Sequence, residues 1–177
     1  VFKALMLGYP DSVEANSSDF NIDSPPNSQY IRFEFPRRDN LPKVAMPEVT
    51  VNWYDGGRLP ARPSELKDGE MLGDENGGCI FYGTRGKIMC GAYAKNPTLL
   101  PADEMEHFEE PVKTIRRIFN PGEDGHEQDW IRACKESKAT RLETSSNFSY
   151  SGPLSEIVAI GTLAVKMQSL RRKLLWD

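Results

Sequence analysis

The sequence predicts an α+β protein, with a large, mostly antiparallel open β-sheet and helices packed on one of its faces. Segments with the period-two alternation of strands fill most of the first hundred residues, whereas the longest segments with helical spacing come after residue 124. Strands that precede helices along the chain, and do not alternate with them, are typical of α+β domains. A chain of 177 residues can bury one sizeable core, so residues 1–177 are expected to form a single domain.

The first eight residues, VFKALMLG, have the apolar spacing of a helix. Gly8 suits the position just after a helix end, and Pro10 is a stop signal. We interpret this segment as the last turns of a helix, and we expect the chain to be a fragment of a longer protein.

The strands are predicted from alternation and from the turn residues between them. Residues 30–36 (YIRFEFP) alternate strictly, with Ile31, Phe33 and Phe35 on the face expected to be buried. The other predicted strand segments are 12–20, EVTVNWYD (48–55), a hairpin CIFYGTRGKIMCGAY (79–93) with its tip at 84–86, NPTLLP (96–101) and KLLWD (173–177).

The strand VNWYDGG (51–57) ends abruptly. Alternation predicts that Val51 and Trp53 are core residues, and the Asp-Gly-Gly sequence at 55–57 forces a turn. About twenty residues with little periodicity follow, and loops of that length in compact domains are usually functional or disordered. The end of this strand is therefore a candidate position for a site.

A helix is predicted over about residues 125–136. Asp124 is the expected N-cap, and Glu127 is placed to complete a capping box. Trp130, Ala133 and Cys134 are expected to form its buried stripe.

A second helix is predicted over about residues 153–168, with Pro153 at its first position. Small residues on its apolar face permit close packing on a sheet. That face is expected to consist of Leu154, Ile157, Val158, Gly161, Ala164 and Val165.

Composition narrows the classes of function. The net charge of −4, without a basic stripe, gives no reason to expect a nucleic-acid partner, and no apolar run is long enough to predict a membrane span. Three cysteines (Cys79, Cys90 and Cys134) lack metal-ligand spacing, so buried free thiols are expected. With only two histidines, no metal site is predicted.

Five motifs bring a family to mind: LGYPDSVEA, VNWYDGGRLPARP, GTRGKIMCGAYAKNPTLLP, GHEQDWIRACK and SNFSYSGPLSE. In this order and at these spacings, across nearly the whole chain, they resemble the C-terminal domain of Gfo/Idh/MocA-type oxidoreductases, and most closely a bacterial subgroup of dehydrogenases. The resemblance implies an α+β domain on a large open sheet. In that family the domain shapes the substrate site and supplies the oligomer interface.

The resemblance also implies which parts lie outside this chain. The full-length protein would use NAD or NADP, but the cofactor fingerprint, the E-K-P motif and the Asp-x-x-x-His motif with the catalytic histidine would all precede Val1. The expected partners are the protein's own N-terminal Rossmann domain, a small-molecule substrate and further copies of the chain through the sheet. This fragment is therefore expected to bind no cofactor, to carry no catalytic residue and to be inactive by itself. Cytoplasm and periplasm both stay open as its compartment.

Candidate substrate-binding residues lie first at the end of the strand 51–57. Tyr54 and Asp55 end that strand, and Asp55 suits a hydrogen bond to a sugar-like hydroxyl; its alternative role is to satisfy its own turn. Arg58 and Arg62, in the following loop, are candidates for contact with an acidic group or with the missing domain. The alternative is that both are solvated.

Two further candidates lie near the predicted helices. His126 is in the first turn of a helix, where the helix dipole disfavours an imidazolium, so a neutral ring is expected. Its alternative role is that of a half-buried histidine bonded to backbone. Tyr150, just before the last helix, is open to the same two interpretations.

Two classes of function remain open. The first is the substrate and assembly part of an NAD(P)-dependent oxidoreductase acting on a sugar, cyclitol or related polyol, with an NAD-dependent glycoside hydrolase of the same family as a variant. The second is a non-catalytic binding or assembly module built on the open sheet.

Overall fold

A computed structural model describes residues 1–41, 46–118 and 124–176. Short 3-10 helices occur at Ala92–Ala94, Ala102–His107 and Gln168–Leu170. The strands and α-helices are β1 (Ser12–Ser18), β2 (Ser28–Phe35), β3 (Val49–Asp55), β4 (Gly78–Tyr82), β5 (Lys87–Gly91), β6 (Thr98–Leu100), α1 (Gly125–Lys135), α2 (Phe148–Lys166) and β7 (Leu174–Leu175).

The chain divides into two compact units. The sheet–helix unit comprises Val1–Leu59 and Thr114–Asp177, and the hairpin unit comprises Pro60–Lys113. The sheet–helix unit contains a four-stranded sheet of order β3-β2-β1-β7, and the hairpin unit contains a three-stranded sheet of order β4-β5-β6. Within each sheet, the strand pairings are antiparallel. The α+β class is therefore confirmed. The strands are divided between two sheets. The single domain expected over residues 1–177 stays a prediction.

The core of the sheet–helix unit lies between the four-stranded sheet and α2. Ile31, Phe33 and Phe35 are buried on one face of β2, as their alternation predicts. Helix α2 contacts β1 and β2 on this face. At Gly161 a Cβ would lie 2.9 Å from Cζ of Phe33, so glycine permits this close approach. The buried core cluster is Leu7, Val13, Ile31, Phe33, Phe35, Ile157, Ile160, Ala164 and Val165.

Trp53 was expected in this core, and that prediction is wrong. Its side chain is on the core side of the sheet, opposite Ile31, yet it is 56% exposed. The reason is its position: β3 is an edge strand, whereas α2 packs on β1 and β2. Val51, two residues earlier, is packed against the core cluster.

The predicted first helix is confirmed as α1, but its buried face differs from the predicted stripe. Trp130 is 64% exposed and Cys134 is also exposed, so only Ala133 of the expected stripe is buried. The buried face repeats every four residues through Gly125, Asp129 and Ala133. Hydrophobic spacing does not reveal this face because a charged residue occupies its centre.

Asp124 holds the predicted N-cap position of α1, but the expected capping box does not form. Its carboxylate caps no backbone N–H. It accepts instead a hydrogen bond of 2.9 Å from Nε2 of Gln128. The first turn of α1 therefore lacks the side-chain cap that the sequence predicted.

Helix α2 begins five residues before its predicted start. Asn147 is the N-cap, and its Oδ1 accepts a hydrogen bond of 3.2 Å from the backbone N–H of Tyr150. Pro153 is consequently inside the helix, in the second turn, where it removes one backbone hydrogen bond. On the predicted apolar face Val158 is 63% exposed, and Ile160, which was not expected there, is buried.

The helical turns predicted at the start of the chain are turns and not a helix in the structure, whereas the predicted last strand is present. Residues 2–6 form turns, with the N–H of Leu5 bonded to the carbonyl of Val1 at 3.0 Å, and Gly8 has a φ of +66°. Leu174 and Leu175 pair with β1. The last residue of the predicted strand 173–177 lies outside the described residues. No helix in the described ranges is long and apolar enough to cross a bilayer.

The hairpin unit confirms the predicted hairpin and the strand after it. Strands β4 and β5 pair across a turn in which the N–H of Gly83 donates to the carbonyl of Gly86 at 2.9 Å. In the loop before β4, Nη2 of Arg62 donates hydrogen bonds to the carbonyl oxygens of Lys67 and Glu70, at 2.7 and 2.8 Å. That loop is thus organised by its own arginine.

All three cysteines are free, as expected. Cys90 is buried and Cys79 half-buried, but Cys134 is exposed, so the expectation of burial is wrong for Cys134. It lies on α1, outside the face that Asp129 and Ala133 bury.

Candidate functional site

The four-stranded sheet has a polar face opposite the core, which we call the open face. Because side chains alternate along strands and directly opposite residues share a face, the register assigns every member. Most of these side chains are exposed or half-buried. The open face consists of Ser12, Glu14, Asn16, Ser18, Ser28, Tyr30, Arg32, Glu34, Thr50, Asn52 and Tyr54.

Two tyrosines form the aromatic part of the open face. Tyr30 and Tyr54 lie directly opposite each other on β2 and β3, with ring centroids 5.1 Å apart and planes tilted by 46°. The hydroxyl of Tyr30 donates to Oδ1 of Asn52 at 2.7 Å. Burial raises the pKa of Tyr30, and the neighbouring Tyr54 raises it further. Tyr30 is therefore a neutral hydrogen-bonding group at physiological pH.

Arg58 folds back from the loop after β3 onto this face. Its Nε donates to Oγ of Ser28 at 3.1 Å, and its Nη1 donates to Oδ1 of Asn16 at 2.9 Å. A guanidinium has five N–H donors, so these two bonds leave three for other acceptors. Arg58 is thus a cation fixed beside the Tyr30–Tyr54 pair and still able to bind.

Charged residues form the other end of the open face. Nη2 of Arg32 lies 3.0 Å from Oε1 of Glu34. The carboxylate of Glu34 also accepts hydrogen bonds from the ammonium of Lys173 and from the hydroxyl of Ser12, the latter at 2.9 Å. The bond from Lys173, and then that from Ser12, lower the pKa of Glu34. This end is an ionised, internally paired network, and the tyrosine end has the greater capacity for a ligand.

Asp55 does not share this face with Tyr54. Its Oδ1 accepts the N–H of Gly56 at 2.8 Å, and its Oδ2 accepts Nε2 of Gln29 at 3.3 Å. Gly56 has a φ of +65°, and a Cβ there would lie 1.9 Å from the carbonyl oxygen of Asn27. These contacts are those of a residue that stabilises its own turn; the substrate-binding role of Asp55 stays a prediction.

His126 lies near the start of α1 and is exposed. Its Nδ1 is 3.2 Å from Oγ of Ser145 and 3.4 Å from Oγ of Ser146. The ring therefore contacts hydroxyl groups and is exposed. The alternative role, a half-buried histidine bonded to backbone, is not what the structure has. A ring nitrogen and two hydroxyl groups therefore lie together near the start of α1.

Asp129 holds the segment that places these serines. It is only 3% exposed, and its Oδ2 accepts the N–H of Ser145 at 3.0 Å. Its Oδ1 lies 3.1 Å from Nε and from Nη2 of Arg132, which also donates to the carbonyl of Leu142 at 3.0 Å. The bond from Ser145, and then that from Arg132, lower the pKa of Asp129. Sequence reasoning missed this residue because one charged side chain on a helix is usually exposed.

Tyr150 lies in the first turn of α2, and its ring has two neighbours. The centroid of Phe2 is 5.8 Å away, and Nζ of Lys3 lies 5.5 Å from the centre of the tyrosine ring. These contacts fasten the start of the chain to α2. A ligand contact for Tyr150 stays a prediction.

The structure brings together only some of the candidate residues. Tyr54 and Arg58 both belong to the tyrosine end of the open face, with Tyr30 and Asn52 added by the structure. Asp55 faces the other side of the sheet. His126 and Tyr150 lie at the starts of two helices, and among the described residues no hydrogen bond, ion pair or ring contact joins either of them to Tyr54 or Arg58.

The described residues hold no group of three side chains suited to a metal ion. Comparison with protein-family models gives no match for this chain, and comparison with curated proteins gives none either.

Proposed function

We propose that this chain is the substrate-binding and assembly domain of a bacterial NAD(P)-dependent oxidoreductase of the Gfo/Idh/MocA type, acting on a sugar, cyclitol or related polyol. The five sequence motifs support the family. The observation that carries the role is the open face, where paired strands present two tyrosines and an amide, and where Arg58 is hydrogen-bonded onto those strands from the following loop. Sites on strands hold their groups more precisely than sites on loops.

The chemistry of the tyrosine end suits a polyol. Sugars present hydroxyls, which need donors and acceptors together, and C–H faces, which pack on aromatic rings. Tyr54 offers a ring and a phenol, Asn52 an amide, and Arg58 three N–H donors beyond its two hydrogen bonds to described residues. This wall selects and orients a ligand, which is how a positioning domain contributes to catalysis.

Hydride transfer would use parts outside this chain. Transfer needs the nicotinamide C4 placed against the substrate carbon, and the proposed Rossmann domain supplies the cofactor site. The role of this chain is then to fix the substrate and to assemble copies of the enzyme. The purified chain by itself is expected to give no substrate-dependent change in NAD(P)H absorbance.

The test is a screen of the longer protein, with the Rossmann segment attached, against sugars, cyclitols, polyols and glycosides with both cofactors. Tyr54→Phe and Arg58→Gln are expected to raise KM at least about fivefold, because each removes hydrogen bonds to bound substrate. The matched controls are Tyr82→Phe and Arg141→Gln, which replace exposed residues outside the open face. Absence of turnover with the whole panel, or equal KM in all four variants, would overturn the proposal.

A further inference from the structure

Two cysteines face each other across the hairpin. Cys79 of β4 and Cys90 of β5 are direct partners in the antiparallel register. Directly opposite residues present their side chains on the same face of a sheet. Sγ of Cys90 is 3.7 Å from the carbonyl oxygen of Cys79, so the thiol is close to the neighbouring strand. Both residues are free cysteines in this structure.

The register places the two α-carbons at a separation that a disulfide can span. The N–H of Gly83 bonds to the carbonyl of Gly86, and alternation along the ladder then makes Cys79 and Cys90 a hydrogen-bonded pair. Such pairs have α-carbons about 5.5 Å apart, within the range of about 4.4–6.8 Å that disulfides span. In such pairs the β-carbons are about 5.5 Å apart, beyond the roughly 3.5–4.5 Å of most disulfides. The two strands must therefore shift locally for the bond to form, which makes the bond strained and easily reduced.

The hairpin unit has a small buried core, so a disulfide would add to its stability. It comprises Pro60–Lys113, and its buried apolar side chains among the described residues are Pro63, Leu66, Cys90 and Leu100. Units of this size with so small a core usually depend on a disulfide, a metal or a partner for stability. A bond from Cys79 to Cys90 would link the edge strand β4 to β5, the central strand of this sheet.

We propose that Cys79 and Cys90 form a reversible disulfide that links β4 to β5 when a small-molecule disulfide, such as oxidised glutathione, is present. The half-buried Cys79 reacts first: its thiolate attacks one sulfur of the small disulfide and expels one thiolate. The thiolate of Cys90 then attacks the sulfur of Cys79 and expels the second. Two protein thiols lose two protons and two electrons, and the small disulfide is reduced to two thiols.

The experiment treats the purified chain with oxidised glutathione at pH 8.5, because burial raises the pKa of the Cys79 thiol. Free thiols are then alkylated, and peptides are mapped by mass spectrometry. The expected product contains a Cys79–Cys90 crosslinked peptide whose mass is two hydrogens less than that of its two reduced peptides together. Cys134→Ser, which removes the exposed thiol of α1, is expected to give the same product.

The variants Cys79→Ser and Cys90→Ala separate this product from nonspecific oxidation. Each is expected to abolish the crosslink; Cys90→Ala should leave a glutathione adduct on Cys79. In the wild-type chain the crosslink should slow cleavage of the hairpin unit by a nonspecific protease at least fivefold, and reduction should restore the original rate. Glutathione confined to Cys134, a stable adduct on Cys79 in the wild-type chain, or equal cleavage rates would overturn the proposal.

Discussion

Replacing Asp129 by asparagine perturbs the buried carboxylate that joins α1 to the segment before α2. The carboxylate accepts the N–H of Ser145 through one oxygen and Nε and Nη2 of Arg132 through the other. The amide of asparagine keeps one acceptor oxygen. Its NH2 group replaces the second oxygen and would face an N–H donor, either that of Ser145 or those of Arg132. Hydrogen bonds to charged groups are worth about 1.5–3 kcal/mol. The substitution loses the hydrogen bonds at one oxygen and weakens those at the other, while the neutral amide costs less to bury than the carboxylate. Together these effects should lower the free energy of unfolding by about 2–3 kcal/mol.

The assay is urea unfolding at pH 7, followed by circular dichroism at 222 nm, because both α-helices belong to the sheet–helix unit. The control is Asp124→Asn, whose exposed carboxylate, among the described residues, accepts a hydrogen bond from Gln128; it should cost no more than about 0.5 kcal/mol. A loss below about 0.5 kcal/mol for Asp129→Asn, or equal losses in the two variants, would refute the reasoning.

The same pair of proteins gives a pH test. The pKa of Asp129 is lowered in the folded state from an ordinary value of 3.8. Its stabilising contribution is therefore fully present above that value and is lost as the pH falls through the lower folded pKa. The stability gap between wild type and Asp129→Asn should be constant from pH 7 to 5 and should narrow below pH 4. A gap that stays unchanged at pH 3 would contradict the assignment.

Two glycine substitutions test the packing by the same urea assay. Gly161→Val should cost about 2–3 kcal/mol, because the added atoms collide with Phe33 beneath α2; the neighbouring exposed Ala159→Val should cost under about 1 kcal/mol, and equal costs would contradict the packing. Gly56→Ala should cost more than about 2 kcal/mol, because its Cβ meets backbone at a positive φ. Gly57→Ala, with positive φ but open space, should cost about 1 kcal/mol, and a larger cost than that of Gly56→Ala would contradict the turn.

The sequence predicted the elements well where one face of a segment is fully buried. The alternation of Ile31, Phe33 and Phe35 identified β2 and its core face, because that strand lies in the middle of its sheet under α2. The same rule was wrong for Trp53, since alternation indicates a side of the sheet but not how far a helix covers it. The start of α2 was misplaced because Pro153 is typical of a first helical position, and the actual cap at Asn147 was not recognised.

The candidate site was predicted in part. Tyr54 and Arg58 were identified from the end of a strand and the loop after it, which are features of the local sequence. Tyr30 and Asn52 were not, because their proximity depends on the register between β2 and β3, and residues 36–48 between these strands are too many for a tight turn to fix that register. The available signal for Tyr30 was the alternation in YIRFEFP, which places Tyr30 and Arg32 together on the polar face of the strand.

The measurement that tests the central claim most directly is the solution mass of the purified chain, because the proposed domain assembles copies of the enzyme through its sheet. Sedimentation equilibrium at increasing concentration should show association of the wild type. Thr50→Arg, which places a bulky charge on the open face without removing a described hydrogen bond, should be a monomer. Thr162→Arg, which places the same charge on the exposed side of α2, should associate like the wild type. A monomeric wild type at the highest concentration, or association unaffected by Thr50→Arg, would contradict the account.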